Sequence, residues 1–330
     1  MPFRGRSSSS KFTQIFYATD VHGSDRCFLK FTNAAKFYDV DVLILGGDLT
    51  GKMIVPIIEQ PDGSFTSKFL GNDFVSKSSQ DLADLETSIR NSGLYPYRTN
   101  VTELKQLQAD KSKITDLFQR LMIERLQNWV NLAEERLRET KTKMYITGGN
   151  DDPLAIEDVM RGPFKHIIDP EGSVIQIDEY HEMVSAGYSN MTPWNCPRDI
   201  SEEELARKIE SSVMDVKDMK TAIFNFHVPP VDSGLDTAPK LDTSVDPPKP
   251  IVRSGKMVMF GAGSTAVRNA IEKYQPLLGL HGHIHESSGV MKIGNTLCIN
   301  PGSEYGEGIL RGVIVTLSRD GVESYQLTQG

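Results

Sequence analysis

Five short stretches of this chain combine residue types that hold metal ions. Asp20-Val21-His22, Asp48, Asn150-Asp151-Asp152, His227 and His283-Ile284-His285 each follow an apolar run of strand length. Carboxylate, imidazole and amide oxygen form a donor set suited to manganese, iron or zinc. Side chains alternate with period two along an extended chain, so Asp-x-His and His-x-His each aim two donors the same way. One strand end then serves one ion twice, or two neighbouring ions once each. Two cations about 3.5–4 Å apart are a recurrent device for phosphoester hydrolysis. Taken singly, each residue has an ordinary reading. An Asp after a strand is a turn former or helix cap, and His227, before two prolines, is a loop histidine. The run His281-Gly282-His283-Ile284-His285 is harder to assign to chance, because it holds three of the chain's seven histidines.

The elements that must position these groups are legible as well. Strand-like runs cover 12–19, 41–47, 143–149, 173–177, 182–188, 221–226, 276–282 and 312–317. Several are almost continuously apolar, as strands covered on both faces are. Between them, 26–38 places Phe28, Phe31, Ala35 and Tyr38 at helical spacing. Ser201 and Glu204 form a capping box ahead of an amphipathic run to about Val216, and Ser264 caps a helix that Pro276 stops. Alternating strands and helices predict an α/β fold. In open α/β sheets ligands bind at the C-terminal ends of the strands, where the five stretches lie.

The order DxH, GGD, GN, H and GHxH, carried by Asp20/His22, Gly46-Gly47-Asp48, Gly149-Asn150, His227 and Gly282-His283-Ile284-His285, resembles the calcineurin-like metallophosphoesterase superfamily. The run His285-Glu286-Ser287 and then Asn300-Pro301-Gly302-Ser303 look like its bacterial and archaeal phosphoesterase branch. The resemblance implies a four-layer α/β/β/α sandwich with two mixed β-sheets, and a dinuclear centre. Carried over by motif, one ion takes Asp20, His22 and His285, the other takes Asn150, His227 and His283, and Asp48 bridges them. Two divalent ions are implied, manganese foremost, with iron, zinc and magnesium as alternatives. The family's mechanism is in-line attack on phosphorus by a metal-bridging hydroxide, which involves Asp48 and Asn150 in catalysis. One position departs from the pattern. Relatives have His after the GN pair, and here Asp151 stands there. Three roles remain open for Asp151: a general acid, an anion that lowers the charge of the site, or a cap on the following segment. His281 is either a core residue or a support for the centre, and His166 and His181 match no motif.

With 330 residues, 38% hydrophobic and 24% charged, the composition is that of a globular protein, which excludes disordered, collagen-like and coiled-coil chains. The net charge of −8 and the lack of a basic run weigh against a nucleic-acid surface. No apolar stretch reaches the ~18 residues of a membrane helix. Cys27, Cys196 and Cys298 form neither a disulfide framework nor a CxxC pair, which fits a reducing compartment, the cytoplasm. Residues 1–11, Ser-rich and without an apolar segment behind them, are expected to be a disordered tail and not a secretory signal. Residues 12–330 are expected to form one metallophosphoesterase domain with two interruptions. A helical insertion over about 79–141, broken at 93–100, is either a hairpin packed on the core or a cap over the entrance. A Pro-rich loop over about 228–250 is expected at the substrate entrance. The functional expectation is a phosphodiesterase acting on a nucleotide-like or other small phosphoester. A DNA nuclease and a catalytically weak metal-binding scaffold are the alternatives, and an oligomer is compatible with the sequence.

Overall fold

Odd and even residues of the first strand part company. Ile15 and Tyr17 turn to one face of the sheet, Phe16 and Ala18 to the other, and all four are buried. A strand covered on both sides needs a layer on each, and the computed structural model supplies them. It describes residues 12–245 and 247–330, so the tail expected over 1–11 lies outside the described residues.

The first sheet has the order Gly321–Gln329, Arg311–Ser318, Phe12–Ala18, Val42–Gly46, Lys143–Thr147, Ile167–Ile168. The last four strands run parallel, and the Arg311–Ser318 strand pairs antiparallel with Phe12–Ala18. The second has the order Gly289–Ile293, Thr296–Asn300, Leu278–Leu280, Ala222–Phe226, Glu182–Ala186, Ile175–Gln176, parallel in its middle and antiparallel at both edges. Ile15, Tyr17, Ile44 and Val313 of the first sheet pack against Met183, Ile223, Leu280 and Ile299 of the second. The outer face of the first sheet meets helices Asp25–Phe37 and Lys111–Leu137. The outer face of the second meets Glu202–Val213 and Thr265–Tyr274. This is the four-layer α/β/β/α sandwich, with two mixed sheets.

Local chemistry starts the helices. The side chains of Ser24, Ser201 and Ser264 accept from the backbone N–H groups of Cys27, Glu204 and Val267, satisfying donors that the first helical turn leaves free.

Both interruptions differ from the sequence reading. The insertion is not purely helical. Helices Ser79–Asn91, Val101–Ala109 and Lys111–Leu137 are present, but the break between them is a strand, Tyr95–Asn100. It pairs in parallel with Ile54–Glu59 inside a four-stranded sheet completed by Phe65–Phe69 and Asn72–Ser76. These strands are short, and Asn72–Ser76 is mostly exposed, so they lack the continuous apolar signal of the sandwich strands. The insertion both packs on the core and reaches the candidate site. Trp129 stacks on Phe28 with centroids 4.3 Å apart, while Arg125 donates to the carbonyl of Gly23 at 2.6 Å and Tyr95 accepts from the Gly51 N–H at 2.9 Å. The Pro-rich segment is an arm of short antiparallel ladders, Thr237–Pro239 with Met259–Gly261, Leu241–Asp242 with Lys249–Pro250, and Val252–Arg253 with Lys256–Met257. Its root is core: Val228, Leu235 and Asp236 are buried.

Candidate metal centre

Seven side chains from five strand ends meet in one buried basin. Asp20 and His22 follow Phe12–Ala18, Asp48 follows Val42–Gly46, and Asn150 follows Lys143–Thr147. His227 follows Ala222–Phe226, and His283 and His285 follow Leu278–Leu280. Two groups form within it. Asp20, His22, Asp48 and His285 place donor atoms within 4.8 Å of one another, and so do Asp48, His227 and His283. Asp48 belongs to both. Its Oδ2 lies 3.4 Å from His22 Nε2, and its Oδ1 lies 3.4 Å from His227 Nε2. Asn150 joins the second group through Oδ1, 2.8 Å from His283 Nδ1.

The backbone is bent to bring these groups inward. Asp20, His22, Asp48 and His283 all have φ between 37° and 64°, a region sparse for side-chain-bearing residues. The glycines of the motifs make room. A Cβ on Gly149 would lie 2.1 Å from Asp48 Oδ1, and one on Gly47, which has φ 113°, would lie 2.5 Å from the His227 ring.

Surrounding groups fix each donor. His227 Nδ1–H donates to the Gly46 carbonyl at 2.9 Å, which turns Nε2 toward Asp48. Asn150 Nδ2 donates to Asp199 Oδ1 at 2.9 Å, which turns the amide oxygen into the basin. Asp152 accepts from the N–H groups of Leu49, Thr50 and Gly149 and from the Thr50 hydroxyl, and so locks the loop after Asp48 to the loop that carries Asn150. Ser303 donates to the Asp20 carbonyl at 2.6 Å, and Asn300 donates to the carbonyls of Gly282 and Ile284 that flank His283.

Electrostatics agree with a cation-seeking site. Burial pushes His22 down to about 3 and His283 down to about 4, so both are neutral donors. Burial opposes charge on Asp20 as well, but His285 and His227 outweigh it and hold Asp20 down at about 2. Asp48 lies well below the usual carboxylate range, because the neighbouring histidines overcome its burial. Against burial, the Asp48 and Asp20 carboxylates lift His227 to about 9. His227 Nε2 is buried with no hydrogen-bond partner. Two buried carboxylates facing such an imidazole nitrogen call for positive charge between them. The donor set of carboxylate, amide oxygen and imidazole fits divalent metal ions.

By sequence the chain is 32% identical over 171 residues to an uncharacterised protein, MJ1162, of Methanocaldococcus jannaschii, spanning 51% of this chain and 68% of that protein. No family model matches the chain. A crystal structure 15% identical to it superposes with a TM-score of 0.56, covering 96% of this chain and 99% of that one, which extends the shared fold over the whole sandwich. The chain therefore belongs to one family with MJ1162, and shares its layered fold with the superposed structure. An archaeal phosphodiesterase aligns with a TM-score of 0.36 at 11% identity, covering 96% of this chain and 100% of that one, a likeness too slight to bear on function.

Asp151 sits at the rim of the basin. Its Oδ2 is 3.0 Å from Lys52 Nζ and 3.9 Å from His22 Nδ1, and the Cys196 thiol lies 3.5 Å from its Oδ1. It caps nothing: the 3₁₀ turn Leu154–Ile156 has no side-chain cap. The neighbouring Asp152 carboxylate is taken up by the Leu49 and Thr50 amides. As an anion it is offset by Lys52, so it does not lower the charge of the site. Lys52 is the residue that the sequence reading passed over. The signal was present in its position four residues beyond Asp48, but a lone lysine in a loop has no spacing pattern. The supporting bonds of Asp199, Asn300 and Ser303 were likewise not foreseen, since each of the three reaches a partner far along the chain. His281 is a core residue whose Nδ1 donates to the Phe226 carbonyl at 2.8 Å. His166 bonds the Thr142 carbonyl and His181 bonds Asp178, both outside the basin.

Proposed function

We propose that the protein is a metal-dependent phosphoester hydrolase whose substrates are small phosphodiesters. The observation that carries the reading is the division of Asp48: each oxygen faces the imidazole of a different donor group at 3.4 Å. A carboxylate so placed is suited to bridge two ions. Asp20, His22 and His285 would hold one, and Asn150, His227 and His283 the other. When bound, two divalent cations polarise the phosphoryl group, acidify the attacking water and neutralise developing charge. The chain's own residues do the rest. Asp199 keeps the Asn150 oxygen turned inward, Gly46 keeps His227 in one tautomer, and Asp152 holds the two loops in register. With both ions in place, two dications less Asp20, Asp48 and the attacking hydroxide leave a charge of about +1. The Lys52–Asp151 pair adds nothing to that sum. Such a site matches the monoanion of a diester better than the dianion of a monoester. The net charge of −8 supports a small substrate rather than a nucleic-acid track.

The test is metal analysis together with hydrolysis of bis(p-nitrophenyl) phosphate and p-nitrophenyl phosphate with manganese supplied. Two ions per chain and a higher kcat/KM on the diester are expected. Metal binding without hydrolysis of either ester would favour the scaffold reading. Cleavage of single-stranded DNA in preference to cyclic nucleotides and dinucleotides would favour the nuclease.

A further inference from the structure

The third motif, Gly149-Asn150-Asp151, ends in an aspartate, and the cationic side chain beside it comes from another element. Lys52 arrives from the second motif. Its loop is fastened on both sides: Leu49 and Thr50 are tied to Asp152, and the Gly51 N–H donates to the Tyr95 hydroxyl at 2.9 Å. The ammonium meets Asp151 Oδ2 at 3.0 Å, while the Asp151 N–H donates to Asp48 Oδ1 at 3.0 Å. Asp151 thus connects the lysine to the carboxylate at the centre of the basin. Lys52 is 49% exposed, so a ligand has access to it. The buried arginines are committed elsewhere, Arg125 to the Gly23 carbonyl and Arg198 to Glu157. An ammonium has three donors and Asp151 uses one, which leaves donors for an oxyanion.

We infer that Lys52, positioned by Asp151, contacts the non-bridging oxygens of the substrate phosphoryl group. The inference rests on the proposed phosphoester reaction. Lys52 is then a catalytic residue, and Asp151 a positioning residue that aims it.

The experiment uses the full chain loaded with manganese, in wild-type form and as Lys52→Met, Lys52→Arg and Asp151→Asn. Three quantities are read: kcat/KM on bis(p-nitrophenyl) phosphate, the dissociation constant of inorganic phosphate by calorimetry, and metal content per chain. Lys52→Met is expected to lower kcat/KM and phosphate affinity by about 10- to 100-fold each, the range of a charge-assisted hydrogen bond. Metal content and melting temperature should not move. Lys52→Arg should recover part of both losses. Asp151→Asn should act mainly on KM, because the ammonium remains but is less well aimed. Lys52→Met with wild-type phosphate affinity and wild-type kcat/KM would reduce the pair to a surface ion pair and overturn the inference. If the wild-type protein hydrolyses no ester, the proposed reaction fails, and the phosphate titration still decides the role of Lys52.

Discussion

Replacing Asp48 by Asn tests the bridging carboxylate, and the structure predicts an asymmetric result. The backbone tolerates the change, since φ is 52° at this position and Asn enters that region readily. The two oxygens of Asp48 are not equivalent. Oδ1 accepts the Asp151 N–H at 3.0 Å and faces His227, whereas Oδ2 faces His22 without a backbone donor. An amide NH₂ in the Oδ1 position would oppose the Asp151 N–H donor. Two opposed buried donors cost about 1–3 kcal/mol. The orientation with the NH₂ toward His22 is therefore favoured about 5- to 150-fold. On that side an ion loses an anionic donor. A unit charge pair at about 4 Å and an effective dielectric near 20 is worth about 4 kcal/mol, so about 8 for a divalent ion before water returns part of it. On the His227 side an amide oxygen remains. Asp48→Asn should accordingly retain one manganese per chain after dialysis where the wild type retains two, as read by mass spectrometry of the metal. The surviving ion should disappear when His227→Ala is added and persist when His22→Ala is added. Two ions in Asp48→Asn, or loss of the survivor with His22→Ala alone, would refute the reasoning.

Three further outcomes are expected. Trp129→Ala should destabilise the protein by about 3–5 kcal/mol in urea unfolding, as large aromatic truncations do. Trp129→Phe, which keeps the stack on Phe28 but loses the 2.7 Å hydrogen bond to Asp25, should cost about 1 kcal/mol. Deleting 241–257 and joining the ends with a two-residue turn is feasible, because the Lys240 N–H already bonds the Val258 carbonyl at 2.7 Å. The trimmed arm should change KM for the diester several-fold and leave metal content alone, and unchanged kinetics across the substrate panel would remove the arm from the entrance. Burial pushes Glu171, which accepts from the Gly187 N–H, up to about 7 from 4.5. Its stabilising contribution is therefore complete below the unfolded value of 4.5 and lost as pH rises through 7. Glu171→Gln should melt higher than the wild type at pH 8 and alongside it at pH 5.

The donors were legible because each rule that identifies them is local. A strand-length apolar run, a glycine that admits a close neighbour and a metal-capable side chain all fit within a few residues, and the parallel sheets bring the ends of those runs together. The sandwich was legible for the same reason, since strands buried on both faces are apolar at every position. The sheet at 54–76 and 95–100 was hidden because its strands cover only one face. Half of their residues are polar, and the helical periodicity that follows them dominates the window. The arm was hidden because prolines and aspartates read as loop, although three short ladders need few residues each.

Asp151 shows where local reading stops. Its type and place in the motif define a departure, and from those alone it could cap, donate a proton or add negative charge. Its role depends on Lys52, about a hundred residues earlier, and on the Tyr95 hydroxyl that fixes the peptide next to Lys52. That hydroxyl belongs to the insertion, which lies outside the five donor-bearing stretches. The insertion therefore does more than thicken the core. By fastening Gly23 through Arg125 and Gly51 through Tyr95, it holds the first and second motif loops from outside the sandwich. A substitution such as Tyr95→Phe, which removes the bond to Gly51 and none of the seven donors, should disturb Lys52 before it disturbs the ions. Phosphate affinity should then fall at constant metal content, and the reverse order would mean that the insertion supports the donors and not the lysine.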